Sequence, residues 1–300
     1  MSENKLFIPS LLVTQVYYPH CEQKGMTAEI IKKVAADHFY EAIEIDCHYD
    51  AGERKRINQV VTEHSLEVTQ WLTSLIDRKR LDLSSIDRKL RKESVQEIID
   101  KLDSAAECGV TTIAFISGPS PGELLRKEAL ECFYESLCEI CAAADSYKMG
   151  VLIEPLDYDA HKRKVLGLTD EAVFLINRVR KQYKNIDFAF DTAHAMLNCE
   201  NLSEAITKAL PLMGQIHFSN AVLDSTHQLF GDHHMAIGEP GFLNQEYMNQ
   251  LLLEIANQKE LLQGGKLRVA IEAKGAESQA LHENEVIVRE LLENALQFVK

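Results

Sequence analysis

Eight short apolar runs recur along the chain, and the stretches between most of them return their apolar residues at helical spacing. The runs are LFIPSLLVTQ (6–15), AIEID (42–46), EVTQWLT (67–73), TTIAFIS (111–117), GVLIEPL (150–156), IDFAFDT (186–192), QIHFSN (215–220) and RVAIEA (268–273). The helical stretches include TAEIIKKVAADH (27–38), with Thr27 as its expected cap, and RKESVQEIIDKLDSAAECG (91–109), stopped by Gly109. TDEAVFLINRVRKQY (169–183) and NEVIVRELLENALQFV (284–299) follow. Strands alternating with helices build a parallel sheet, and eight such units close it into an α/β (β/α)8 TIM barrel. An open doubly wound sheet is the alternative. Its usual phosphate-binding turn, GxGxxG or GxxxxGK(S/T), occurs nowhere in the sequence. No linker, low-complexity tract or solenoid repeat divides the chain, so residues 1–300 are expected to form a single domain.

The 300-residue chain carries a formal net charge of −14. So acidic a surface repels phosphate backbones and anionic lipid, which argues against nucleic acid and membrane as partners. No stretch reaches the ~20 apolar residues of a membrane span. The start, MSENKLFIPSLLVTQVYY, lacks the basic flank and long apolar run of a secretory signal. Seven cysteines are scattered, and the one CxxC, Cys138 to Cys141, falls inside the amphipathic stretch ALECFYESLCEICAAAD instead of opening a helix. They are expected to be reduced, buried helix residues, which implies a cytoplasmic protein.

A barrel of this kind gathers its active site at the C-terminal ends of its strands. The fifth run ends in Glu154, the sixth in Asp191 with His194 just behind, the seventh holds His217, and the eighth ends in Glu272. Each carboxylate closes an apolar run: VLIE, FAFD, VAIE. A charge at the buried end of a strand is costly unless it is paired or binds a metal. One such residue alone reads as a salt-bridged surface group. Four on consecutive strands converge on one mouth, where the carboxylates repel each other unless a cation neutralises them. Two Glu, one Asp and one His suit one divalent ion, Mn²⁺ first, with Mg²⁺, Co²⁺ or Zn²⁺ also compatible. They do not match sulfur-rich structural zinc sites.

The segments LIEPLDYD, FAFDTAHA, QIHFSNA and AIEAK, with GDHHMAIGEPG between the last two, resemble the xylose isomerase-like barrel superfamily. That group of sugar phosphate isomerases and epimerases also includes ketose 3-epimerases, inosose dehydratase and endonuclease IV. The resemblance follows the strand order through nearly the whole chain and is densest from Gly150 to Lys274. It implies a metal held by Glu154, Asp191, His217 and Glu272, with His194 touching substrate. Endonuclease IV uses a DxH pair after the seventh strand to hold a further zinc, and Asp232 and His234 have that spacing here. It also takes histidines from the third and fourth strand ends, which here read WLTS and FISG, so the implication is one metal. Asp232 and His234 then face substrate hydroxyls, or else close the loop by a hydrogen bond. His233 points to solvent if the segment is extended, and His227 stabilises the loop. Asn220, just past a strand end, and Glu44 are further expected substrate contacts, a barrel-rim salt bridge being the alternative for Glu44. Trp71 is either an apolar floor or core packing, and Asp157 or Asp159 orients substrate or His161. DRKR (77–80), HKRK (161–164) and Lys274 are the places where a sugar phosphate would be recognised, or they are solvated.

The resemblance implies proton transfer on a small-molecule carbohydrate carrying a carbonyl. A metal would polarise the carbonyl and stabilise an enediolate, while Glu154 and Glu272 remove and return a proton. Return to the opposite face epimerises, and return to the neighbouring carbon isomerises. The alternatives are an inosose-type dehydratase on the same metal, an endonuclease IV-like phosphodiesterase, and a non-catalytic sugar-binding barrel. A homo-oligomer, dimer or tetramer, fits the general habit of such enzymes.

Overall fold

The apolar runs become strands because both of their faces find cover, one inside a barrel and one against helices. In a computed structural model that describes residues 5–299, the strands are β1 (Phe7–Leu12), β2 (Ala42–Ile45), β3 (Glu67–Trp71), β4 (Thr112–Ile116), β5 (Gly150–Glu154), β6 (Ile186–Asp191), β7 (Met213–Val222), β8 (Gly231–Met235) and β9 (Leu267–Glu272). The first residues of the MSENK start, 1–4, lie outside the described residues, as does residue 300. Strands β1 to β7 pair in parallel, each with the next; β7 then pairs with β9 and β9 with β1, closing an eight-stranded barrel. Helices occupy the connections, among them Met26–Ala35, Ala51–His64, Glu123–Ser146, Thr169–Val179, Gln245–Asn257 and Glu283–Phe298. The barrel and its eight strand positions are those expected.

Period-two alternation sorts the side chains. Val151 and Ile153 of β5, Phe188 and Phe190 of β6, and Ile216 and Phe218 of β7 join the large core between barrel and helices. Leu12, Trp71, Ala114, Leu152 and Ala189 form a small apolar layer of their own. Glu154 and Asp191 are two residues beyond Leu152 and Ala189, so the same alternation turns them to that inner side, at the C-terminal rim.

Several local expectations change. β8 was expected as loop; it runs antiparallel to the end of β7, with Ala221 opposite Asp232 and Val222 opposite Gly231, and this pairing also extends β7 beyond QIHFSN. Thr27 is not a cap. Its helix starts after Gly25, whose φ of 86° glycine tolerates, and the Thr27 hydroxyl donates to the Cys21 carbonyl at 3.2 Å. The stretch 91–109 is two helices, Arg88–Ile99 and Leu102–Glu107, the first begun by Asp87, which accepts from the Lys89 and Leu90 amides. All seven cysteines are free; Cys138 and Cys141 lie on the long helix, but Cys199 is exposed and Cys47 is buried in the loop after β2.

Candidate metal centre

Asp191 ends β6 and at once begins the short helix Thr192–Leu197, with one oxygen accepting from the His194 amide at 3.0 Å. This cap fixes Asp191 and sets the His194 ring beside it. The other oxygen, Oδ2, is buried with no hydrogen-bond partner among the described residues. His217 reaches in from β7. Its Nδ1 lies 3.5 Å from Glu154 Oε1 and 3.3 Å from Glu272 Oε2, in no hydrogen bond of good geometry. One ligand atom from each of Glu154, Asp191, His217 and Glu272 lies within 4.8 Å of the others, and all four side chains are buried. Orphaned buried oxygen and nitrogen atoms facing one another are what a cation would satisfy. The oxygen-rich set with one imidazole fits a divalent ion.

The charges around this cluster respond to its crowding. Burial raises the Asp191 carboxyl; nearby His194 opposes the rise, Glu272 and Glu154 add to it, and it reaches about 7. Burial also penalises the charge on Glu272, but His234 and then His217 outweigh it and hold the carboxyl at about 2. His217 is raised well above its ordinary range, since Glu44, Glu154 and Glu272 overcome its burial.

A second layer surrounds the first. Asp157 ends no strand, yet it is fully buried. Its Oδ1 accepts from the backbone amides of His161, Lys162 and Arg163, which shapes the loop after β5, and its Oδ2 lies 3.2 Å from His194 Nδ1. Of the pair Asp157 and Asp159, Asp157 therefore has the organising role; Asp159 is exposed. On the other side, Asp232 Oδ2 lies 3.1 Å from His234 Nε2 and 3.7 Å from His194 Nε2. The Lys162 ammonium stands 3.1 Å from the same oxygen, the place where a further cation would have to go. Burial works against the His194 charge, but Asp191, Asp157 and Asp232 raise it to about 10. His234, with φ of 49°, rises to about 9 as Glu272 and Asp232 overcome its burial. A cavity of about 960 Å³ opens above these groups, lined among others by Trp71, Glu154, His194, His217, His234 and Glu272.

The structure brings Glu154, Asp191, His194, His217, Asp232, His234 and Glu272 together. Two expected substrate contacts, Glu44 and Asn220, do not line that cavity. Glu44 is fully buried below the mouth, where it accepts from Ser10 Oγ at 2.8 Å, Trp71 Nε1 at 2.7 Å and His217 Nε2 at 2.9 Å. Asn220 is equally buried and spent on the chain itself, donating to the Ala236 and Gly238 carbonyls and accepting from the Leu243 amide, each at 2.8 Å. Trp71 serves both of its readings, since it lines the cavity and packs in the inner apolar layer. His233 is exposed, and His227 accepts from the Leu229 amide within its own loop. Lys162, Lys164 and Lys274 line the cavity, whereas Arg78 lies 2.8 Å from His48 Nδ1 and Lys79 pairs with Glu97. Sequence reading missed Lys162 as a partner of Asp232; the lysine sits in HKRK without a periodic signal. Asp46, Cys47 and His48 also bring ligand atoms together, but the neighbouring Arg78 guanidinium makes a poor setting for a cation.

The chain is a closed parallel (β/α)8 barrel with a carboxylate–histidine cluster that could hold a metal ion at its C-terminal mouth. The sequence model of the family described as Xylose isomerase-like TIM barrel matches residues 33–258, and the chain belongs to that family. No curated protein matches it in sequence. Solved structures that share the fold include D-psicose 3-epimerase in the presence of D-fructose, at 17% identity and a TM-score of 0.72 over 97% of this chain and 99% of that one. The IOLI protein with a bound zinc atom matches at 14% identity and 0.68, over 98% of both chains. AP endonuclease, family 2, from Brucella melitensis matches at 19% identity and 0.64, over 93% of this chain and 96% of that one.

Proposed function

We propose that this protein is a metal-dependent sugar, or sugar phosphate, isomerase or epimerase. The observation that carries the reading is the convergence of Glu154, Asp191, His217 and Glu272 within 4.8 Å of one another at the barrel mouth. These four would hold one divalent ion, with Mn²⁺ the first choice for so oxygen-rich a set. When bound, the ion supplies a Lewis acid that polarises a substrate carbonyl and favours negative charge on its oxygen. Glu272, at the end of β9, is the carboxylate that removes the proton from one face of the carbon. Glu154 approaches from β5, a different strand; entering the step protonated, it gives its proton to the other face of the carbon while Glu272 keeps the one it removed, and exchange with solvent resets both carboxyls. His194, Asp232 and His234 form a fixed polar wall for substrate hydroxyls. The fold is shared with a D-psicose 3-epimerase, which supports a small carbohydrate as substrate. Free cysteines throughout support a reducing, cytoplasmic setting.

The test is to incubate candidate ketoses with the Mn²⁺-loaded protein in D₂O. Solvent deuterium at C3 assigns 3-epimerisation, and at C1 or C2 isomerisation. Loss of a hydroxyl would assign dehydration instead. No exchange into any ketose by metal-loaded protein contradicts the proposal.

A further inference from the structure

We propose that Glu44 is a positioning residue that fixes the His217 ring so that Nδ1, and not Nε2, faces the metal. This rests on the reading of the four-residue cluster given above. Glu44 is on β2, across the barrel from the ligands of β5 and β6, and it is fully buried. A carboxylate in that position is expensive unless several donors reach it. Three do, from three other strands: the Ser10 hydroxyl of β1 at 2.8 Å, the Trp71 indole N–H of β3 at 2.7 Å, and His217 Nε2 of β7 at 2.9 Å. Ser10 occupies Oε1, while Trp71 and His217 share Oε2. Trp71 also stands against the imidazole, the two ring centroids 5.2 Å apart.

The consequence for the ring is directional. His217 Nε2 also lies 2.7 Å from the side-chain amide of Gln215, but of the two neighbours the Glu44 carboxylate is the charged acceptor and the stronger partner for a ring N–H. With Nε2–H donated to that oxygen, the lone pair left for a ligand is on Nδ1, the nitrogen 3.5 Å from Glu154 and 3.3 Å from Glu272. A charged acceptor behind a ligating imidazole fixes its tautomer and orientation and raises its basicity, and losing such a partner commonly weakens metal binding about 10- to 100-fold. Packing alone does not call for this arrangement. An apolar residue would fill the space without the cost of a buried charge.

The experiment uses the full chain loaded with Zn²⁺, which permits NMR, and with Co²⁺, which absorbs in the visible. In ¹⁵N-histidine-labelled wild type with Zn²⁺, His217, identified by its loss in His217→Gln, should carry its proton on Nε2. Glu44→Gln, nearly isosteric, should bind Zn²⁺ about tenfold or more weakly by chelator competition. Its Co²⁺ spectrum should be altered, with the thermal midpoint measured alongside to separate folding from binding. Trp71→Phe, which leaves Glu44 in place, should weaken binding less. A proton on Nδ1 in the wild type overturns the inference without any variant. So does Glu44→Gln with Zn²⁺ affinity within about twofold of wild type and an unchanged Co²⁺ spectrum. Wild type that fails to bind either ion at the cluster overturns the metal reading itself, a distinct outcome.

Discussion

Asp191 shows how one residue can be fixed by the backbone and left free for chemistry. One oxygen caps a helix turn, and the other is buried with no hydrogen-bond partner among the described residues. Without a cation, Asp191 rises to about 7 and His217 also holds its proton tightly. Metal uptake therefore expels protons, and apparent affinity should rise with pH across the neutral range. Titration calorimetry in buffers of different ionisation enthalpy reads the proton count directly; uptake with no net release contradicts this. Glu154→Gln and Glu272→Gln should each lower turnover by about 10²- to 10⁴-fold with the circular dichroism spectrum preserved. Wild-type-like rates in both would remove their catalytic roles. His194 gives a separate pH signature. Its folded pKa of about 10 lies above the unfolded value near 6.5, so it contributes stability that is complete below about pH 6.5 and lost as pH rises through about 10. Urea unfolding of the metal-free protein should follow that course, and His194→Gln should flatten it. The carboxylates of the cluster were legible because a charge closing VLIE, FAFD or VAIE is an anomaly that one dimension displays. The burial of Glu44 and Asn220 was not legible, because depth inside the barrel, and a loop returning to saturate an amide, leave no trace along the chain.

At the scale of elements, the unexpected piece is β8. GDHHM lacks apolar alternation, so nothing in its composition marks a strand; backbone pairing with the end of β7 makes it one. Extended backbone then buries Asp232 and exposes His233, which agrees with the expectation for an extended segment. The loop beyond β8 is pinned by Asn220, and the Gly241 position touches that side chain so closely that an added Cβ would stand 2.2 Å from its Oδ1. Asn220→Ala should strand the Leu243 amide and two carbonyls in a buried place, at a cost of about 1–3 kcal/mol for each group that water cannot reach. Chemical denaturation measures that loss, and a variant within about 0.5 kcal/mol of wild type argues against the pin. The split of 91–109 into two helices was invisible for a related reason. Its apolar spacing continues through the break at Asp100 and Lys101, and periodicity alone does not report where backbone hydrogen bonds stop.

For the molecule as a whole, the barrel was the most legible feature, because eight apolar runs with helical connections admit few closed arrangements. What concentrates at its mouth is an excess of buried negative charge, and the account assigns one divalent ion to balance it. Ligation of the native state alone should stabilise the fold by about 2.7 kcal/mol at a metal concentration 100 times the Kd, a shift in thermal midpoint that Asp191→Asn should abolish. An equal shift in the variant would place the ion elsewhere. The most direct test is anomalous diffraction from a Mn²⁺-loaded crystal. The account predicts one strong peak per chain, within coordination distance of Glu154, Asp191, Glu272 and the Nδ1 of His217; a cluster with no peak, or a peak bound by other residues, contradicts it.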